Sequence, residues 1–260
     1  MSNLKPVTLI TGASAGIGAA LAQVFAEKGH ELVLVARRAP QLQALADAIV
    51  KSGRARPHIM TIELARADAG ARIADELRQA GLEPEIVVNN AGFGLLGPAA
   101  TLGRAEQLAM IDLNVRALTD LSLRFIDSIA RHNGGILNVA SVAGFMPGPG
   151  MAVYHATKAY VLSFSEALHR ELKPKGVRVT ALCPGPVETE FQARAGMPEG
   201  YFPRFLARTA ERVAREGYDG LMRGKRVVVP GSDNKMAALL PRLLPRGLVL
   251  KLMRGFGRGR

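Results

Sequence analysis

The sequence predicts a three-layer, doubly wound α/β domain, a parallel sheet of about seven strands with helices on both faces. Three observations predict it. Short apolar runs rich in β-branched residues alternate with helical stretches of ten or more residues, the pattern of right-handed βαβ crossovers. The 260 residues are 48% hydrophobic and 22% charged, enough apolar material for a large core and too much for general disorder. Each polar motif falls at the C-terminal end of a predicted strand or on the helix that follows, where ligands bind to such sheets.

Residues 6–11, PVTLIT, form the first strand and run into the glycines of GASAGIG. The amphipathic AALAQVFAEKG follows as a helix ended by Gly29, a residue suited to a C-terminal cap. ELVLVA is the second strand, and ARRAPQLQALADAIVKSG supplies the helix after it. PHIMTIEL is predicted as strand three, residues 65–80 as a third helix and EIVVNNAG as strand four. A long helix is predicted over about 104–131, GGILNVAS as strand five, 152–173 as the next helix, GVRVTALCPG as strand six and 226–231 as strand seven. No repeat or low-complexity linker interrupts this order, so residues 1–233 read as one domain and 234–260 as a basic, apolar tail.

Charge and cysteine content narrow the function classes. The formal charge is +12, but seven basic residues and no acidic one lie between Lys235 and Arg260, leaving +5 for the rest of the chain. Cys183 stands alone, which excludes an intramolecular disulfide and a cysteine zinc cluster and fits a reducing compartment. Within VRVTALCPG it reads as a buried strand residue. No pair of Cys, His or carboxylates has metal-ligand spacing, so no catalytic metal is predicted. The start, MSNLKPVTLITG, has no basic region followed by a long apolar run. Neither a signal peptide nor a membrane span is predicted there, and the cytoplasm is the expected location.

The stretch from Thr11 to Gly18 reads TGxxxGxG between a strand and a helix. Glycines permit a tight turn and close backbone approach, and a helix N-terminus presents free N–H groups to an anion. Gly12, Ser14, Gly16, Ile17 and Gly18 are therefore candidate contacts to a dinucleotide. Alone, such a turn also serves as chain punctuation. The second strand ends Val35, Ala36, Arg37, Arg38, with no carboxylate to hold a ribose 2′-hydroxyl. An arginine there accommodates a 2′-phosphate, which favours NADP(H) over NAD(H). Arg37 is the better candidate, with Arg38 beside it; the alternative is that both are solvated surface charges.

The reacting group is expected between Ser141 and Lys158. Ser141 precedes Tyr154 by thirteen positions and Lys158 follows it by four. Positions i and i+4 share a helix face, so phenol and ammonium point into the same space. A phenol of pKa about 10 is a poor base at neutral pH, and a neighbouring cation favours its ionised form. Tyr154 could then exchange a proton with a substrate hydroxyl or carbonyl once a hydride donor is present. His155, one position on, points elsewhere and reads as a surface or core residue.

With the glycine turn, Asn89-Asn90-Ala91-Gly92, Asn114, Ser141, Tyr154-His155-Ala156-Thr157-Lys158 and Cys183-Pro184-Gly185 in order, the sequence resembles the short-chain dehydrogenase/reductase superfamily. The likeness covers about residues 5–190 and is nearest the ketoacyl and hydroxysteroid reductase branch. It implies a single NAD(P)-binding Rossmann domain over 1–233. It also implies that Tyr154 is the general acid in reduction and the base in oxidation, that Lys158 lowers the phenol's pKa and binds the nicotinamide ribose together with Tyr154, and that Ser141 holds the carbonyl oxygen. Asn114 would hold a water linking Lys158 to solvent. Asn90, Ala91 and Gly92 would pass beside the adenosine, Pro184 and Gly185 would touch the nicotinamide, and Val187 and Thr189 would meet its carboxamide. Glu63 and Glu85 stand where the family commonly has aspartate; Glu63 and the Leu64 backbone would meet the adenine.

Phe93, Phe145, Met146, Met151 and Phe191 are expected, with Ser141 and Tyr154, to line the substrate pocket, whose apolar composition suits a moderately large apolar carbonyl compound or alcohol. Residues 196–205 read as part of a mobile lid. The tail's prolines at 241 and 245 are expected to break any long helix. It reads as packing on a partner subunit in a homodimer or homotetramer, as lying on an anionic membrane surface, or, least favoured, as binding nucleic acid; no nucleic-acid partner is predicted. A non-catalytic nucleotide-binding regulatory or scaffold protein is the alternative function, and it has no chemical need for the serine, tyrosine and lysine.

Overall fold

A computed structural model describes residues 4–198, 200–202 and 207–256. Seven parallel strands form one sheet in the order β3-β2-β1-β4-β5-β6-β7. They are β1 (Lys5–Thr11), β2 (Leu32–Ala36), β3 (His58–Thr61), β4 (Leu82–Asn89), β5 (Gly135–Val139), β6 (Arg178–Leu182) and β7 (Val227–Val228). The connecting helices are α1 (Gly16–Glu27), α2 (Ala39–Lys51), α3 (Ala69–Gln79), α4 (Arg104–Ile111), α5 (Leu118–Arg124), α6 (Ile126–Arg131), α7 (Ala152–Leu172), α8 (Glu190–Arg194) and α9 (Ala210–Met222), followed by α10 (Ser232–Leu243) and α11 (Arg246–Phe256). This is the Rossmann fold.

The strands read as continuous apolar runs because both faces of the sheet are covered. Ile10, Val88, Leu137 and Leu182 pack with α1, α2 and α9 on one face. Leu9, Val87, Ile136 and Val179, each an odd number of residues earlier, pack with α3, α5, α6 and α7 on the other. Each such side chain contributes about 1.5–3 kcal/mol through removal from water, so register in the central strands is strongly specified.

The differences from expectation lie at the edges and ends. Strand seven shrinks to two residues because Pro230 has no N–H to donate and Gly231 turns the chain at φ 88. The long helix over 104–131 exists in segments. It widens into a π-turn at Asp112–Ala117, which contains Asn114, and breaks at Phe125. Pro245 stops a helix as expected, with Leu244 extended before it. Pro241 does not, since it sits within the last turn of α10. The boundary placed at residue 233 falls in the first turn of that helix.

Candidate active site

One cavity of about 830 Å³ lies along the carboxyl ends of the strands. Its first half is built by β1, the glycine turn and β2. Gly12 adopts φ 65, and a Cβ there would come within 2.8 Å of the Ala91 backbone and the Asn90 amide. A Cβ on Gly18 would overlap the Gly12 carbonyl. The turn therefore holds α1 tightly against β4, and Asn90 fixes it by donating to the carbonyls of Thr11 at 3.0 Å and Gly12 at 3.1 Å. No side chain caps α1 and its first turn carries no acidic residue, which leaves its N–H groups for an anion. These residues fit a dinucleotide phosphate.

Ser14, Gly16, Ile17, Arg37 and Arg38 line this half, as do Glu63, Leu64, Asn90, Ala91 and Gly92. Arg37 donates to Glu63 Oε2 at 3.1 Å. Arg38 donates to Ser14 Oγ at 3.2 Å and pairs with Glu190 at 2.9 Å. A third guanidinium, Arg194 of α8, reaches the same cleft over the Phe93 ring at 4.4 Å. Burial, then repulsion from Arg37, holds Arg194 below the ordinary arginine range.

Ser141, Tyr154 and Lys158 line the cavity together with Pro184, Gly185, Val187 and Thr189, and Ser141 Oγ donates to the Pro184 carbonyl at 3.4 Å. Ser141 caps a short 3-10 turn, its Oγ accepting from the Ala143 N–H at 3.1 Å. Lys158 is 5% exposed; its Nζ donates to the Val139 carbonyl at 2.8 Å and lies 5.8 Å from the Tyr154 ring centroid. The sequence pairing predicts a lowered phenol pKa, and the structure gives the opposite sign. Burial pushes the Tyr154 phenol up to about 12, opposed by its hydrogen bond with Ser141. Burial also brings Lys158 down to about 8, with Cys183 opposing. Desolvation of both groups outweighs their mutual proximity. Cys183 is buried, and its thiol is pushed up to about 12, chiefly by burial.

Beyond Tyr154 the wall is apolar. Met151 and Phe191 line it as predicted, with Phe191 5.4 Å from the Tyr154 ring. Four predicted site residues are off the wall. Gly18 lies behind the turn it compacts. Phe93 is buried beneath Arg194, its backbone held by Asn114. Phe145 packs with Leu118 and Val161 under Arg242 at 5.1 Å, which removes it from the pocket. Asn114, 1% exposed, uses its amide on Phe93 and Thr157.

Several wall residues were not predicted. His155 faces the cavity, with Nδ1 2.8 Å from the Met146 carbonyl and a pKa lowered chiefly by burial. Met146, expected on the wall, and Met197, Tyr201 and Phe202, which fall in the expected lid, extend the apolar surface. Glu199 and residues 203–205 of the expected lid lie outside the described residues. From α10, α11 and the link between them come Leu240, Leu244, Val249, Leu252 and Met253. Their helical spacing is visible in the sequence, but the surface they meet is distant along the chain.

A doubly wound parallel sheet, a glycine turn fit for a phosphate and a serine, tyrosine and lysine on one cavity wall together define a Rossmann-fold oxidoreductase that uses a nicotinamide cofactor. The chain belongs to the short chain dehydrogenase family, which matches residues 6–199. It is 38% identical over 191 residues to sulfoacetaldehyde reductase 2 of Chromohalobacter salexigens, covering 72% of this chain and 75% of that one. The structure is similar to a short-chain dehydrogenase of Sphingobium yanoikuyae in complex with NADPH, at a TM-score of 0.80 and 35% identity over 96% of each chain. It is also similar to the bulky-bulky ketone specific alcohol dehydrogenase of Comamonas testosteroni, at a TM-score of 0.75 and 30% identity over 96% of this chain and 95% of that one.

Proposed function

We propose that the protein is an NADP(H)-dependent reductase that interconverts an apolar ketone or aldehyde with its alcohol. The observation that supports this reading is that Ser141 and Tyr154 line the same cavity as the glycine turn, with apolar Phe191 5.4 Å from the Tyr154 ring. When bound, the nicotinamide supplies or accepts the hydride. In reduction Tyr154 donates its hydroxyl proton to the carbonyl oxygen as that oxygen gains charge, and Ser141 holds the same oxygen by a hydrogen bond. A phenol raised to about 12 remains protonated at neutral pH, which suits it to the role of acid. Lys158 stabilises the phenolate left behind and donates to the ribose. Asn114 is a positioning residue. Exposed Leu108, Ile111, Leu123 and Tyr160 on α4, α5 and α7 support a homo-oligomer.

NADP(H) is supported by Arg37, Arg38 and Arg194 gathered where a 2′-phosphate would lie. Glu63 and Glu190 offset two of these three charges and leave one in excess. The Sphingobium yanoikuyae relative was solved with NADPH. Arg37→Ala is expected to raise KM for NADPH roughly 10–100-fold, the worth of a charged hydrogen bond, and KM for NADH less than about 2-fold. Equal losses for both cofactors would contradict the assignment.

The substrate class is tested by initial rates of NADPH oxidation over aldehydes and ketones of increasing apolar size, with sulfoacetaldehyde included. A higher kcat/KM for sulfoacetaldehyde than for the bulky apolar ketones would overturn the apolar reading. The pH profile tests Lys158. Its ammonium, lowered to about 8 by burial, is charged below that pH and neutral above it. Since kcat/KM reports groups of the free enzyme, kcat/KM for NADPH in reduction is expected to fall as pH rises through about 8. A profile flat from about pH 7 to about pH 9.5 would count against that role.

A further inference from the structure

We infer that α10 and α11 dock the protein on an anionic lipid bilayer and set the mouth of the active-site cavity against it, so that an apolar carbonyl substrate enters from the lipid. This rests on the reading of the site as one for an apolar substrate. Met236, Leu239, Leu240 and Leu243 are all exposed, Leu243 by 73%, and their spacing of three, four and seven places them on one face of α10. Leu248, Leu250 and Leu252 are exposed on α11. Lys235, Arg242, Arg246 and Lys251 are exposed among them, and no acidic residue follows Asp233. Asp233 itself pairs with Arg208 at 2.6 Å.

Two further observations choose the occupant. Leu240 and Leu252 are exposed and also line the cavity, so the outer apolar face is continuous with the inner wall near Tyr154. A second copy docked through this face about a two-fold axis would set basic residues against basic residues. An anionic headgroup layer instead complements them and accepts the leucines below it. No helix among the described residues is long and apolar enough to cross a membrane, so the contact lies in the surface.

The test uses the full chain and co-sedimentation with vesicles of phosphatidylcholine alone or with about one third phosphatidylglycerol, at about 0.05 M and about 0.5 M salt. Binding is expected to the anionic vesicles at low salt, with a loss of roughly 100-fold in Lys235→Ser/Arg246→Ser/Lys251→Ser and weakening at high salt. Leu239→Glu/Leu243→Glu is expected to abolish binding. These residues do not line the cavity, so reduction of a water-soluble ketone is expected to stay at the wild-type rate, which also shows that the variants fold. With a long-chain ketone carried in anionic vesicles, both variants should lose roughly 10-fold or more in rate. A wild-type enzyme that reduces the soluble ketone yet ignores anionic vesicles at low salt would overturn the docking and leave the reductase reading standing. Binding to vesicles without turnover of any carbonyl compound would overturn the entry route, and the reductase reading with it. A smaller oligomer in Leu239→Glu/Leu243→Glu by size-exclusion chromatography would assign the face to a second copy and likewise overturn the proposal.

Discussion

Tyr154→Phe is expected to lower kcat for carbonyl reduction by roughly 10²–10⁴-fold, the contribution of a positioned general acid. The substitution keeps the ring that packs 5.4 Å from Phe191 and removes only the hydroxyl. The cavity wall and the glycine turn are untouched, so NADPH affinity, read by fluorescence titration, is expected to stay within a few-fold of wild type. An effect confined to the chemical step would appear in single-turnover rates as well as in kcat. Because burial holds the phenol near 12, the wild-type acid is loaded throughout the neutral range, and the defect should not be repaired by lowering the pH. A mutant rate within about 10-fold of wild type would mean that the proton comes from another group. His155, also on the cavity wall, would be the first to examine.

What the sequence made legible is what local geometry determines. Tyr154 and Lys158 come together because they stand four positions apart on α7. The central strands are recognisable because burial on both faces leaves them little but apolar residues, as in Leu32–Ala36. The glycine turn is recognisable because Gly12 and Gly18 stand where a Cβ would meet backbone. Tertiary relations are less visible. Phe93 and Phe145 follow strand ends as pocket residues would, yet Asn114 ties down the backbone at 93 and the packing around Leu118 takes the ring at 145. The apolar spacing of 236–243 is visible, but that its helix walls the cavity depends on contacts with residues far back in the chain, such as the turn at Val142–Phe145. The sign of the Tyr154 shift escaped for the same reason. Spacing gives the neighbouring cation, whereas only the folded chain gives the desolvation that outweighs it.

Asn114→Ala is expected to cost roughly 2–4 kcal/mol of folding stability, because it leaves two buried backbone groups without partners. Asn114 Oδ1 accepts from the Phe93 N–H at 3.1 Å, and its Nδ2 donates to the Phe93 carbonyl at 2.9 Å and to Thr157 Oγ1 at 3.1 Å. The π-turn around it supplies a reason for an asparagine within a helix, since a widened turn re-aims side chains and is a frequent mark of functional sites. Urea unfolding at constant m is the measurement, and Thr157→Val, which removes one of the three bonds to Asn114, should cost only about 1 kcal/mol. Similar losses in the two variants, or a loss below about 0.5 kcal/mol for Asn114→Ala, would refute the clamp. The same change reaches the chemistry. A Cβ on Gly92 would stand 3.0 Å from Asn114 Oδ1 and 3.5 Å from Lys158 Nζ, so Asn114 and Lys158 flank one stretch of backbone between the cofactor cleft and the reacting group. Loosening that stretch should lower kcat by less than the loss of the Tyr154 hydroxyl does, with the pH dependence above about 8 unchanged, because an amide does not titrate there.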